Sequence, residues 1–141
     1  MTSKVKDLIS RSPVTIEKGT STLDAVKTMA SLNMGSVIIT DHGNVVGIIT
    51  ERDIIRALAK GLSINEPVEK LGTVGNLITV TEEDSIYVAA EKMSKHNIRH
   101  LIVLDTEGKF KGVISMRDMI RESHVLKALS SISEEEFVGS D

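Results

Sequence analysis

The chain has 141 residues, of which 40% are apolar, and 17 Lys and Arg stand against 20 Asp and Glu for a formal charge of -3. That length and apolar content suit one compact domain, or two half-domains sharing a core, and argue against a disordered chain. With no cysteine there is no disulfide, thiolate metal site or cysteine nucleophile, and an acid balance with two Phe, one Tyr and no Trp disfavours nucleic acid held by a basic surface or by base stacking.

The first segment, Val5-Lys6-Asp7-Leu8, reads as a short lead-in helix. Val14 to Ile16 is expected to be a strand, Glu17 to Thr20 a turn, and Ser21 the N-cap of a helix with Asp24 placed for a capping box. Leu23, Val26, Met29 and Ala30 recur at helical spacing, and the helix should stop near Asn33 and Gly35. Val37 to Thr40 and Val45 to Ile49 are β-branched runs around the polar turn Asp41-His42-Gly43-Asn44, so a hairpin is predicted, followed by a helix from Thr50.

The order then repeats. Val68-Glu69-Lys70-Leu71 is a second lead-in, followed by a strand at Ile78 to Val80, a helix at Asp84 to Lys95, strands at Leu101 to Leu104 and Phe110 to Ile114, and a helix from Ser115. At a shift of 64 positions Thr15 falls on Thr79, Ala25 on Ala89, Met29 on Met93, Asn33 on Asn97 and Asp41 on Asp105; one extra turn residue then makes the shift 65. The expected architecture is α/β (α+β), with two copies of β-α-β-β-α packed with pseudo-two-fold symmetry. The expected boundaries are 1–60 for the first repeat, 61–67 for the junction, 68–125 for the second repeat, and 126–141 for a helix end and acidic tail. Since the start lacks the apolar core of a signal peptide and no run approaches the roughly 18 apolar residues of a membrane span, a cytoplasmic location without membrane contact is expected.

Each repeat closes on one motif, Gly47-Ile48-Ile49-Thr50-Glu51-Arg52-Asp53 and Gly112-Val113-Ile114-Ser115-Met116-Arg117-Asp118. The plain explanation is helix capping, with Thr50 and Ser115 as N-caps and Asp53 and Asp118 in the first turn, where a carboxylate meets the positive end of the helix dipole. A helix start with amide donors and a hydroxyl also suits an anion, and the aspartates are placed to accept from a pair of sugar hydroxyls, with Arg52 and Arg117 as neighbouring donors.

In this repeat context the motif resembles that of CBS domains, and the chain looks like a tandem CBS pair, or Bateman module, from about Val5 to Arg121. The resemblance implies clefts between the repeats that bind adenosine-containing ligands: AMP, ADP, ATP or S-adenosylmethionine. It implies ribose at Asp53 and Asp118, phosphate at Thr50 and Ser115, and the base at Val14, Thr15, Ile78 and Thr79. It further implies that each aspartate faces the segment before a strand of the other repeat. One cleft would combine Val14, Thr15, Thr50, Arg52 and Asp53 with Arg99 and His100, and would be the stronger site for a charged nucleotide, because Arg offers a planar fork of donors. The other would combine Ile78, Thr79, Ser115, Arg117 and Asp118 with the neutral Gly35 and Ser36.

No catalytic residue is expected, because Walker, zinc-protease and nucleophile-elbow motifs are missing. No metal is expected either: His96 and His100 stand four apart, but the helix ends at Asn97 and no third ligand is near. His42 and His124 read as solvated, and Met29 and Met93 as core. The functional expectation is a non-enzymatic, ligand-sensing regulatory module, a homodimer that signals occupancy to an effector protein. The alternatives are a structural dimerisation module without ligand and a nucleic-acid-binding protein.

Overall fold

The computed structural model describes residues 3–122. The expected helical continuation through Val125, Leu126 and Leu129, the acidic stretch Ser133 to Glu136 and His124 lie outside the described residues. The chain divides into two compact units, a first from Ser12 to Ile78 and a second that joins the segment ending at Arg11 to the chain from Thr79 onward.

In the first unit, β1 (Thr15–Glu17), α1 (Thr22–Leu32), β2 (Ser36–Asp41), β3 (Asn44–Thr50), α2 (Glu51–Ala59), α3 (Val68–Leu71) and β4 (Thr73–Val74) follow in order. The sheet runs β1-β2-β3-β4. Strand β1 pairs parallel to β2, the helix between them making the crossover, and the other pairs are antiparallel. The interior strand β2 is buried from Ser36 to Thr40, as its unbroken β-branched run requires. Helix α1 starts at Ser21, whose side chain accepts from Asp24 N–H, but Asp24 does not return the bond, so only half of the expected capping box forms. Its buried face runs Thr22, Ala25, Met29, while Ala30 is exposed. Thr22 is tolerated there because its hydroxyl donates to Glu66 C=O at 2.8 Å, which hydropathy alone does not reveal. Helix α1 ends at Asn33 with φ 53, the left-handed C-cap, which Asn tolerates.

The core gathers Ala25, Met29, Val37, Ile39, Ile49, Ile54 and Ala57 with Val68 and Leu71 of α3. The short helix that leads into the second repeat along the chain therefore closes the core of the first. Thr22 N–H and Leu23 N–H donate to Glu66 and Ile64 C=O, and Val68 N–H donates to Thr20 C=O. Strand β4, which the sequence did not suggest, runs beside β3, and a Cβ on Gly47 would stand 2.5 Å from Thr73 O. Gly47 is thus required by a close backbone approach.

The second unit has β5 (Thr79–Thr81), α4 (Ile86–His96), β6 (His100–Leu104), β7 (Phe110–Ser115) and α5 (Met116–Arg121). Its sheet order β5-β6-β7 repeats the parallel and antiparallel pairings, with an irregularity at Val103/Leu104 where the first sheet has one at Ile39/Thr40. Asp84, expected inside the helix, instead closes the preceding turn by accepting Thr81 N–H at 2.9 Å, and α4 begins after Ser85. Asn97, with φ 52, ends α4 as Asn33 ends α1. The lead-in Val5–Leu8 is a 3₁₀ helix that packs here, with Val5 0% and Leu8 4% exposed. Val5 and Lys6 N–H donate to Asp84 and Glu82 C=O, and Lys4 and Lys6 both meet Glu83. Those ion pairs are exposed and add little; the buried apolar pair dominates.

Two outcomes follow from these contacts. Val5→Ala is expected to cost about 2 kcal/mol and to raise amide exchange between residues 79 and 115, whereas Val68→Ala should raise it between 15 and 50; exchange localised the opposite way refutes the packing. The second concerns Glu17, whose carboxylate accepts His42 N–H at 2.6 Å and the Thr40 hydroxyl at 2.8 Å. The His42 bond first and the Thr40 bond second hold its carboxyl below the ordinary 4.5. Its stabilising contribution is therefore full above pH 4.5 and is lost as pH falls through the depressed folded value. Denaturant midpoints at about pH 6 and about pH 3 should differ less for Glu17→Gln than for the parent chain.

Candidate functional site

The repeated motif builds the same joint in both units. Strand β3 ends on Thr50, the N-cap of α2; its hydroxyl accepts Asp53 N–H at 3.2 Å, and Asp53 Oδ2 accepts Thr50 N–H at 3.0 Å. In the second unit Ser115 Oγ accepts Asp118 N–H at 3.1 Å, while Asp118 Oδ2 accepts Ser115 N–H at 2.8 Å and the Ser115 hydroxyl at 3.0 Å. These are reciprocal capping boxes, so the plain reading of the motif is realised. Only one oxygen of each carboxylate is used. Among the described residues, Oδ1 of Asp53 and Oδ1 of Asp118 carry no hydrogen bond, and both side chains are half-buried. Since an ionised carboxylate has about four acceptor positions, capping leaves capacity for a ligand hydroxyl.

Strand register decides what lies beside each joint. Ser36 is opposite Thr50, and Glu51 N–H donates to Gly35 C=O at 3.1 Å. His100 is likewise opposite Ser115, and Met116 N–H donates to Arg99 C=O at 2.8 Å. At the same end of the first sheet, Ile38 N–H donates to Val14 C=O, beside Thr15. The first unit therefore carries Val14, Thr15, Gly35, Ser36, Thr50, Arg52 and Asp53 along one rim. The second carries Thr79, Arg99, His100, Ser115, Arg117 and Asp118, with Ile78 immediately before Thr79. Within each unit the aspartate thus shares a rim with the strand-leading segment of its own repeat. Gly35 and Ser36 accompany Asp53, and Arg99 and His100 accompany Asp118.

The strand edges at these rims are polar. Val14 C=O and Lys18 N–H bond to β2, and since a parallel ladder uses alternate residues, Thr15 turns its own N–H and C=O away from β2. In the second unit Glu82 N–H bonds to Leu104 C=O, which by the same alternation turns Thr79 outward. Thr79 C=O is taken: Lys92 Nζ on α4 donates to it at 2.6 Å. Sequence reading passed over Lys92. The available signal was its place in the repeat, where the first copy has Thr28, whose hydroxyl donates within its own helix to Asp24 C=O.

Among the described residues one His and carboxylate group has metal-ligating atoms within 4.8 Å of one another: Glu17, Asp41 and His42. Sequence spacing did not suggest it. Strand pairing and the turn explain the closeness, because Glu17 anchors Thr40 and His42, and His42 Nδ1 lies 2.8 Å from Asp41 Oδ1. His96 is exposed in the last turn of α4, and His100 begins β6. Met29 and Met93 are core, at 5% and 1% exposure. No helix among the described residues is long and apolar enough to cross a membrane.

Comparison with known proteins agrees with this architecture. The chain is 32% identical to a CBS domain protein from Pyrobaculum aerophilum complexed with AMP, with a TM-score of 0.80 over 92% of this chain and 99% of that one. It is 32% identical to the CBS domain pair of protein MJ0100 in complex with 5'-methylthioadenosine and S-adenosyl-L-methionine, with a TM-score of 0.77 and the same coverage. Among curated sequences it is 36% identical over 122 residues to an uncharacterized 17.7 kDa protein of Acidianus ambivalens, covering 86% of this chain and 73% of that one. It is also 35% identical over 118 residues to an L-aspartate semialdehyde sulfurtransferase of Methanocaldococcus jannaschii, covering 83% of this chain but 22% of that protein. The CBS domain family matches at residues 5–60 and again at 68–125, and the chain belongs to that family as a tandem pair of its repeats.

Proposed function

We propose that the chain is a ligand-sensing module that binds an adenosine-containing ligand at the rims of its sheets and passes occupancy to an effector protein or to a second copy of itself. The observation that carries this reading is the duplicated capping box in which each aspartate holds its helix with one oxygen and leaves the other without a hydrogen bond among the described residues. Asp53 and Asp118 are assigned to ribose hydroxyls, Thr50 and Ser115 to the phosphate side, and Arg99 and His100 to phosphate charge. Arg52 and Arg117, in the first helical turns, are secondary donors. Val14, Thr15, Ile78 and Thr79 are assigned to the base. The outward N–H and C=O of Thr15 form a donor and acceptor pair that complements N1 and the 6-amino group of adenine. The AMP and adenosyl ligands of the two solved relatives support the same class. We place this binding in the cytoplasm.

The expectation of self-association gains support from α2, where Ile55 is 68% and Leu58 45% exposed on one helical face. Ile55→Glu is expected to shift the sedimentation-equilibrium mass toward one chain, and an unchanged mass argues against α2 as the contact.

Calorimetric titration tests the ligand assignment. Asp53→Asn keeps an oxygen for the Thr50 amide but loses the second carboxylate acceptor, and AMP affinity should fall roughly tenfold or more. Equal affinity in variant and parent sinks the role of Asp53. Arg99→Ala should weaken a purine nucleoside monophosphate by a larger factor than the matching nucleoside, since only the monophosphate has the charge that a guanidinium pairs with; equal losses would make Arg99 structural.

A further inference from the structure

The two rims are duplicates in backbone and cap, and they differ in what faces the outward strand edge. In the first unit Thr15 is exposed and its outward N–H and C=O carry no hydrogen bond among the described residues. In the second unit the equivalent C=O, that of Thr79, accepts a 2.6 Å hydrogen bond from Lys92 Nζ. A lysine ammonium has three donors and no acceptor. Parked on the strand edge, it takes one of the two lone pairs of Thr79 C=O and adds donors beside Thr79 N–H, so the edge becomes donor-rich.

We infer that Lys92 sets base specificity at the second rim, favouring purines that carry a carbonyl at position 6 over 6-aminopurines. This rests on the proposed assignment of the base to the strand edge. A 6-amino group brought to Thr79 meets an acceptor already shared with a cation whose N–H bonds oppose its own, and a site built this way discriminates by the cost of the weakened bond. A 6-oxo group offers lone pairs to Thr79 N–H and to Lys92, and one of its bonds is charge-assisted. The first rim has Thr28 at the corresponding place, whose hydroxyl is spent on Asp24 C=O, so its edge stays open to adenine. The chain would then compare two purine classes, one at each rim.

The test uses AMP and GMP as probes against the full chain, measured by calorimetry in the Asp53→Asn background, where the first rim is weakened. GMP is expected to bind this background more tightly than AMP by roughly tenfold, and addition of Lys92→Met, which keeps the length of the side chain and removes its donors, should abolish or invert that preference. Lys92→Gln, an uncharged donor, should retain part of it, and thermal melts of all variants establish that they are folded. An unchanged GMP to AMP ratio in Lys92→Met overturns the inference, as does failure of both nucleotides to bind in the Asp53→Asn background. Failure of the underlying reading looks different: AMP binding to the parent chain would then be absent, or would not respond to Asp53→Asn at all.

Discussion

Everything at the rims depends on one reciprocal pair of hydrogen bonds, from Thr50 to Asp53 and from Ser115 to Asp118. A strand that ends with its last residue in extended geometry, φ -118 at Thr50 and -117 at Ser115, must hand its chain directly to a helix. The first amides of that helix have no internal partner. The hydroxyl satisfies one of them, and the carboxylate returns a bond to the strand residue, so helix and sheet meet at a fixed angle without a loop. The carboxylate is held by a single oxygen, which makes a structural device into a positioned acceptor. In the proposed reading the same residue serves fold and site, and the two roles do not compete for lone pairs.

The second constraint is packing. A β-α-β-β-α unit leaves the open edge of its hairpin and one end of its core uncovered, and a short lead-in segment covers them, one that follows the first unit along the chain and one that precedes the second. Val68 and Leu71 close the core around Ala25, Met29 and Ile49, while Val5 and Leu8 are buried in the other unit. The glycines of the motif follow from this covering. Gly47 lies against the backbone of Thr73, whereas Gly112 lies against the side chain of Ile9, so the same residue answers two different neighbours. A repeat in sequence therefore does not mean an identical set of contacts.

Departures between the copies carry more information about specificity than their agreement does. The agreements, Thr or Ser with Asp, Asn33 with Asn97, Met29 with Met93, are explained by capping, helix termination and core volume. The departures, Arg99 and His100 in place of Gly35 and Ser36 and Lys92 in place of Thr28, change the chemistry of the second rim and not its strand register.

The amino-acid order alone determined the duplication, the element order within each copy, the hairpins, and the caps at Ser21, Thr50 and Ser115, because these follow from local preferences: β-branched runs, helical spacing, and hydroxyl or carboxylate residues at helix starts. Tertiary structure decided what local preference cannot encode. It buried Thr22 by giving its hydroxyl a carbonyl 44 residues away, moved Asp84 from the helix into a turn, and assigned each lead-in segment to a unit. It also set Lys92 against Thr79, 13 residues apart in the chain. The reason is the same in each case: the partner is brought near by packing and strand register, and the free energy of the contact belongs to the assembled unit, not to the segment that contains the residue.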